Sequence, residues 1–232
     1  MATDRYGPYI LGTKVSLSRT DIEKLLEVLG GPTGNSADLL GGRVPIHLLS
    51  LDSVGTVAVK HYRRGGLIRW LNKCHYIKTG RPRSQKEYKM LQLAHRCGIQ
   101  VPAPVAWAAR GGLVYRCWLV TEAIPSAITL AQISRTDPTK SIQYTRCVSR
   151  QIRRLIQHRI LHVDLHPGNI IIGTGGRVVL IDFDRAQRYY LSPSALAKRY
   201  RIRWQRAVTK HNLPKFLIAE MDAGLTEALK AP

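Results

Sequence analysis

Two short stretches carry the side chains that could move a phosphoryl group. They are His162-Val163-Asp164-Leu165-His166-Pro167-Gly168-Asn169 and Leu180-Ile181-Asp182-Phe183-Asp184. Phosphoryl transfer from ATP needs a carboxylate to orient the attacking hydroxyl and take its proton. It also needs an amide oxygen and a second carboxylate to hold Mg²⁺ against the phosphates. Asp164 is the candidate base, and Asn169 and Asp182 are the candidate metal ligands. A general base contributes about 10²- to 10⁴-fold to such a step. Asp and Asn are also ordinary turn formers. Against that plainer reading, Asp182 ends an apolar strand-like run, where an unpaired carboxylate is costly.

Lys60 closes Val57-Ala58-Val59-Lys60, which fits the V-A-I-K pattern of kinases. An ammonium there grips the α- and β-phosphates. Glu87 is the only acid between Lys60 and Glu122 and is therefore the expected ion-pair partner. Its alternative role is local, closing a capping box with Ser84. Gly41-Gly42-Arg43-Val44-Pro45 stands where a phosphate-covering loop belongs. It lacks the G-x-G-x-x-G order, and Pro45 has no N–H to offer, so an ordinary turn competes. Adenine is expected against the backbone near Glu122 and Ile124, between the lobes, on position alone. His162 is expected to brace the loop. His166 has three open roles: touching phosphate, touching the acceptor, or stabilising the loop.

These residues need a scaffold. A first helix is expected over 21–29, with Thr20 and Glu23 as its capping box and Ile22, Leu25, Leu26 and Leu29 at helical spacing. Ile46 to Leu51 and Thr56 to Tyr62 read as strands joined by a turn. A helix opens near Ser84 and stops at Gly98. Leu113 to Val120 pairs as a strand with Val105 to Ala108. Residues 121–126 read as a connector broken by Pro125, and Ser141 to Arg159 as a helix. Ile170 to Ile172 and Val178 to Ile181 flank a Gly-rich turn as a hairpin. A last helix sets Leu196, Tyr200, Trp204 and Val208 on one stripe. The order predicts an α+β, bilobal protein-kinase-like fold with an antiparallel-sheet N-lobe and a mainly helical, shortened C-lobe. The chain is expected to be a single kinase-like domain, with an N-lobe about 1–121, a connector about 122–126 and a C-lobe about 127–232.

Thirty-six Lys and Arg oppose 15 Asp and Glu, a net charge of +21 in 232 residues. Such an excess implies an anionic partner: a membrane surface, a phosphorylated glycolipid or nucleic acid. One basic run extends from Lys60 through Arg63, Arg64, Arg69 and Lys73 to Lys89. A second comprises Lys198, Arg199, Arg201, Arg203, Arg206 and Lys210. Leu67, Ile68 and Trp70 in the first run suit either a lipid interface or a core. The N-terminus has no signal-peptide pattern, and no apolar run approaches the roughly 20 residues of a membrane span. A cytosolic protein is expected. Cys74, Cys97, Cys117 and Cys147 have no metal-ligand rhythm and read as reduced thiols.

His61-Tyr62-Arg63-Arg64-Gly65-Gly66, Val101-Pro102-Ala103-Pro104, Leu119-Val120-Thr121-Glu122 and Leu180-Ile181-Asp182-Phe183-Asp184-Arg185 together resemble 3-deoxy-D-manno-octulosonic acid (Kdo) kinases. These are lipopolysaccharide inner-core kinases of Gram-negative bacteria. The similarity covers roughly residues 40 to 210. It implies ATP- and Mg²⁺-dependent phosphorylation of a Kdo hydroxyl on a lipid A-linked core, at the cytoplasmic face of the inner membrane. It also implies Asp164 as base and Asn169 and Asp182 as metal ligands. Arg63, Arg64 and His166 are substrate candidates, the basic segment suiting an acceptor with carboxylates and phosphates.

His166-Pro167-Gly168 is similar instead to aminoglycoside phosphotransferases, whose acceptors are cationic, and a charge of +21 disfavours such an acceptor. A heptose kinase and a compact RIO-like kinase stand as alternatives. A protein kinase is disfavoured, because too little chain follows Asp184 and no A-P-E element occurs. The non-enzymatic alternative is a basic pseudokinase module on membrane or nucleic acid, and the intact Lys60, Asp164, Asn169 and Asp182 set argues against it. No nucleic-acid partner and no obligate protein partner are expected.

Overall fold

The computed structural model describes residues 2–31, 46–62, 76–77, 80–190 and 192–230. The chain divides into two compact units, Met1–Lys89 with Ala103–Ala123 and Met90–Pro102 with Ile124–Pro232. The strands are β1 (Ala2–Tyr6), β2 (Tyr9–Thr13), β3 (Ile46–Leu51), β4 (Gly55–His61), β5 (Tyr76–Ile77), β6 (Pro104–Gly111), β7 (Val114–Glu122), β8 (Ile128–Thr129), β9 (Ile160–Leu161), β10 (Ile170–Ile172), β11 (Val178–Leu180) and β12 (Gln187–Arg188). The helices are α1 (Arg19–Gly30), α2 (Arg83–Arg96), α3 (Leu130–Thr136), α4 (Pro138–Gln157), α5 (Pro193–Lys210) and α6 (Phe216–Lys230).

In the first unit the described strands form one antiparallel sheet in the order β1-β2-β6-β7-β4-β3, with β5 paired to the start of β7. Alternation along β4 buries Val57, Val59 and His61 and turns Lys60 to the other face. Val57 and Val59 join Leu11, Leu25, Leu29, Val105, Trp118 and Val120 in the core under α1. Lys60 pairs with Leu119 on one side and Ile46 on the other, so its backbone sits mid-sheet.

The first helix begins two residues earlier than expected. Its capping box is Ser18 with Asp21, not Thr20 with Glu23. Tertiary contacts decide between these overlapping frames. Asp21 is fully buried and also accepts the backbone N–H groups of Asp52 and Ser53, at 2.7 and 3.1 Å, where β3 turns into β4. The Ser53 hydroxyl, and then these backbone bonds, hold its carboxyl well below the ordinary range against the cost of burial. The box expected of Ser84 and Glu87 is likewise replaced. Ser84 lies inside α2 and donates to Ala108 O at 3.1 Å, leaving Glu87 for a longer-range contact. The β1–β2 hairpin and helices α3 and α6 have no counterpart in the sequence reading.

In the second unit, α4 packs on α6, and α5 on both. Trp204 of α5 is buried and donates its indole N–H to Leu217 O of α6 at 2.9 Å. β10 and β11 form the expected hairpin, extended by β8, and β9 pairs with β12. The mixed α+β class matches expectation, with the antiparallel sheet in the first unit and most helices in the second. No helix among the described residues is long and apolar enough to cross a membrane.

Candidate active site

In the first unit, α2 carries Glu87 to Lys60. The ammonium lies 3.2 and 3.1 Å from the two carboxylate oxygens. Glu87 is 2% exposed and Lys60 22%. A carboxylate this deep needs more than one donor. The second is Tyr62, whose hydroxyl donates to Glu87 Oε2. Lys60 Nζ stands 5.0 Å from the centre of the Tyr62 ring, and the Arg83 guanidinium 5.6 Å from it. The Tyr62 side chain thus fixes Glu87 through its hydroxyl and lies against two cations through its ring.

In the second unit, β9 delivers the chain into the loop that holds Asp164. The His162 imidazole is 1% exposed. Its Nε2–H donates to Ile181 O at 2.9 Å, and its ring meets Phe183 edge-on at 4.5 Å. Burial pushes the imidazole below its ordinary value, against the pull of Asp182 and Asp164, and keeps it neutral. Tyr200 of α5 accepts the His162 backbone N–H at 2.9 Å and donates to Ile160 O at 2.7 Å.

Asn169 closes the loop. Its N–H bonds His166 O at 2.8 Å, and its side-chain Nδ2 donates to Asp164 O at 2.9 Å. Ile181 N–H bonds Asn169 O at 3.0 Å and extends the β10–β11 ladder by one residue. Asp182 therefore follows directly on the strand position beside Asn169. Its φ of 65° is left-handed, a strained backbone for a non-glycine residue, of the kind that gathers at functional sites.

The donor chemistry suits a hard cation. With Nδ2 engaged, Asn169 has its oxygen for a ligand, and Asp182 supplies a carboxylate. No cluster of three or more His, Cys, Asp or Glu residues able to hold a metal occurs among the described residues. A pair of protein oxygens completed by water and phosphate is what Mg²⁺ prefers.

Two guanidinium groups approach Asp164. Arg203 Nη2 of α5 is 3.4 Å from Oδ1, and Arg185 Nη1 is 3.8 Å from Oδ2. His166 caps the turn at Pro167 by accepting Gly168 N–H on Nδ1 at 3.1 Å. Burial first, then the neighbouring Arg203 and His211, push the His166 imidazole down to about 4.

The structure thus places Lys60 with Glu87 in one unit, and Asp164, His166, Asn169 and Asp182 on one loop-and-hairpin in the other. Glu122 takes part in the sheet: its N–H bonds Ala103 O at 2.8 Å, and its carboxylate accepts Ala103 N–H at 3.2 Å. An Ile124 methyl would lie 2.6 Å from a Cβ on Gly173, so that glycine admits it. Arg63, Arg64, Leu67, Ile68, Trp70 and the Gly41–Pro45 stretch lie outside the described residues. Three contributors are not marked by sequence: Tyr200 reads as part of an apolar stripe, Arg203 as part of a basic run, and the Tyr62 hydroxyl has no local signal.

Comparison with known proteins gives the family. The model of the lipopolysaccharide kinase (Kdo/WaaP) family matches residues 47–220. A 3-deoxy-D-manno-octulosonic acid kinase of Vibrio parahaemolyticus is 33% identical over 150 residues, covering 63% of this chain and 62% of that protein. One of Vibrio cholerae is 36% identical over 131 residues, 55% of each chain. One of Xylella fastidiosa strain M23 is 34% identical over 136 residues, 57% of this chain and 54% of the relative. The chain spans between about half and three fifths of the length of these curated relatives. With most of its length inside the family match, the chain belongs to the lipopolysaccharide kinase (Kdo/WaaP) family.

Proposed function

We propose that this protein transfers the γ-phosphoryl group of ATP to a hydroxyl of Kdo in a lipid A-linked lipopolysaccharide core, acting as one kinase domain. The observation that carries the reading is the Asp164 loop. The backbone of Asp164 is tied to the Asn169 amide through Asn169 Nδ2–Asp164 O, and the backbone of Asn169 to the residue before Asp182 through Ile181 N–Asn169 O, in a member of this family.

In this reading Asp164 orients the acceptor hydroxyl and receives its proton. Lys60, aligned by Glu87, holds the α- and β-phosphates. Asn169 and Asp182 would hold Mg²⁺, which neutralises charge on the β- and γ-phosphates when bound. The segment from Glu122 to Ile124, where the two units join in sequence, receives adenine. His162 stays neutral and supports the loop, so it moves no proton.

The acceptor is a lipid, so the reading includes a surface. Lys198, Arg199, Ile202 and Arg206 are exposed on α5. Each cation near an anionic leaflet adds about 1 kcal/mol of attraction. These cations support the reading of the protein as a peripheral enzyme on the cytoplasmic face of the inner membrane of a Gram-negative cell.

The test is transfer of labelled phosphate from ATP, with Mg²⁺, to a Kdo-bearing lipid A precursor. Asp164→Ala and a precursor without Kdo serve as controls. Label that requires both Kdo and Asp164 is expected. Label on the Kdo-free precursor, or undiminished label with Asp164→Ala, would discard the acceptor or the base respectively.

A further inference from the structure

We propose that Arg185 and Arg203 form an anion-binding subsite beside Asp164 that receives a carboxylate or phosphate oxygen of the acceptor and selects against neutral and cationic sugars. The inference rests on the reading of Asp164 as the residue that meets the acceptor.

The two arginines arrive from different elements, Arg185 from the loop after Asp182 and Arg203 from α5. They address different oxygens of one carboxylate, at 3.8 and 3.4 Å. Neither contact is the short bidentate pairing that an arginine makes when a carboxylate is its whole purpose. Ion pairs this open contribute little to stability, since the Arg185 side chain is 66% exposed and that of Asp164 is 30% exposed. A stabilising role therefore does not account for them.

Donor capacity is left over. A guanidinium carries five N–H donors, and each arginine offers Asp164 one nitrogen. The Arg203 Nε atom is buried and has no hydrogen-bond partner. Both guanidinium groups are addressed to the Asp164 carboxylate, with Asp182 and Asp184 as the other acids of this stretch. His166 and His211, whose rings lie 6.1 Å apart, also stand here. The first of them is neutral and adds no charge.

The subsite is also rigid. Tyr200 lies one turn before Arg203 on α5 and is bonded to the backbone of both Ile160 and His162. The helix that carries Arg203 is thereby fastened to the strand that leads into the Asp164 loop. A cationic acceptor brought to Asp164 would meet two guanidinium groups first. The local geometry thus opposes aminoglycoside-type acceptors for a reason independent of overall net charge.

Two arms test the subsite. In the first, initial rates on the Kdo-lipid A precursor are compared for wild type, Arg185→Gln, Arg203→Gln and Arg203→Lys. Losing one charge-assisted contact should raise the acceptor KM about 10-fold or more in each Gln variant, with the ATP KM within about twofold and partial recovery in Arg203→Lys. Methyl-esterifying the acceptor carboxylate should bring wild type to the level of the variants. If removing the acceptor phosphates does so instead, phosphate is the group bound. Acceptor KM unchanged in both Gln variants, with only kcat lowered, would make the arginines mere supports of Asp164 and overturn the proposal.

The second arm needs no transfer. Saturation-transfer NMR is recorded with glucuronate, glucose 6-phosphate and glucose in the presence of Mg-ADP. Signals from an anionic sugar but not from glucose, lost in the Arg185→Gln/Arg203→Gln double variant, support the subsite even if the precursor is not phosphorylated. Equal signals in wild type and double variant, or none in wild type, overturn it. Circular dichroism checks the fold, and Arg185→Gln with Arg203→Lys carries both arms should Arg203→Gln not fold.

Discussion

The Tyr200 hydroxyl accepts the backbone N–H of His162 at 2.9 Å and donates its own hydrogen bond to Ile160 O at 2.7 Å. Burial raises the phenol pKa, so it remains a donor at every working pH. Tyr200→Phe keeps the ring in the core but strands two main-chain groups at the entrance to the Asp164 loop. The expected loss is about 1–3 kcal/mol of stability for the unsatisfied groups. Because the bonds hold the entrance to the Asp164 loop and Arg203 rides on the same helix, kcat should fall and the acceptor KM rise, with the ATP KM little changed. Denaturant unfolding together with steady-state kinetics checks both. Wild-type values in Tyr200→Phe would detach α5 from the loop's function.

Tyr62→Phe tests the other unit. Glu87 keeps Lys60 but loses the Tyr62 hydroxyl that fixes one of its carboxylate oxygens. The carboxylate that aligns Lys60 is then held less firmly. The expected result is a raised KM for ATP, with the acceptor KM unchanged, and a stability loss of about 1–3 kcal/mol. Lys60→Met should be more severe, since it removes the ammonium itself from a carboxylate that is 2% exposed. An ATP KM in Tyr62→Phe equal to wild type would show that Lys60 and Glu87 align without help.

His166 supplies a pH prediction. Its folded-state value of about 4 lies below the ordinary 6.5, so the unfolded chain binds this proton more readily. The penalty is absent above the ordinary value, grows as pH falls toward about 4, and is complete below it. Stability should therefore decline over that window, and less steeply in His166→Gln. By NMR the His166 ring should stay neutral from about pH 8 to about pH 5, so it gives no inflection in the rate profile there. A His166 resonance titrating near its ordinary value would remove the burial and the Arg203 effect together.

The parts of the site visible in sequence are those whose spacing is local. Asp164 and Asn169 lie on one loop, and the hairpin that brings Asp182 next to Asn169 is announced by two apolar runs around glycines. Lys60 and Glu87 were paired by elimination, there being one acid to choose. What stayed hidden depends on distant chain. Tyr200 reads as core because its ring is core, and only its hydroxyl does the bracing. Arg203 is one of several cations on α5, and nothing in its neighbours marks it as the one that reaches Asp164. Ser18 outcompetes Thr20 as the cap because Asp21, not Glu23, meets the turn at Asp52, a contact set by the β3–β4 pairing. The β1–β2 hairpin turns tightly at Gly7-Pro8, between two strands of only five residues each.

Gly224 shows how the second unit's helices are spaced. A Cβ there would fall 2.4 Å from Ser149 Oγ and 2.8 Å from Ser149 Cβ. The hydroxyl could rotate away from its bond to Arg146 O, but the Ser149 Cβ cannot. Gly224→Ala must therefore push α6 off α4. Overpacking of this kind costs about 1–3 kcal/mol. Ala is favoured over Gly in a helix by about 1 kcal/mol, which offsets only part. The melting temperature should fall, whereas the ATP and acceptor KM values at low temperature should hold, because the contact lies away from the Asp164 loop. Adding Ser149→Gly to Gly224→Ala exchanges the bulk across the interface and should recover most of the packing loss. A Gly224→Ala protein at least as stable as wild type, with the double variant less stable, would mean that propensity outweighs the contact and that α4 and α6 have room to spare.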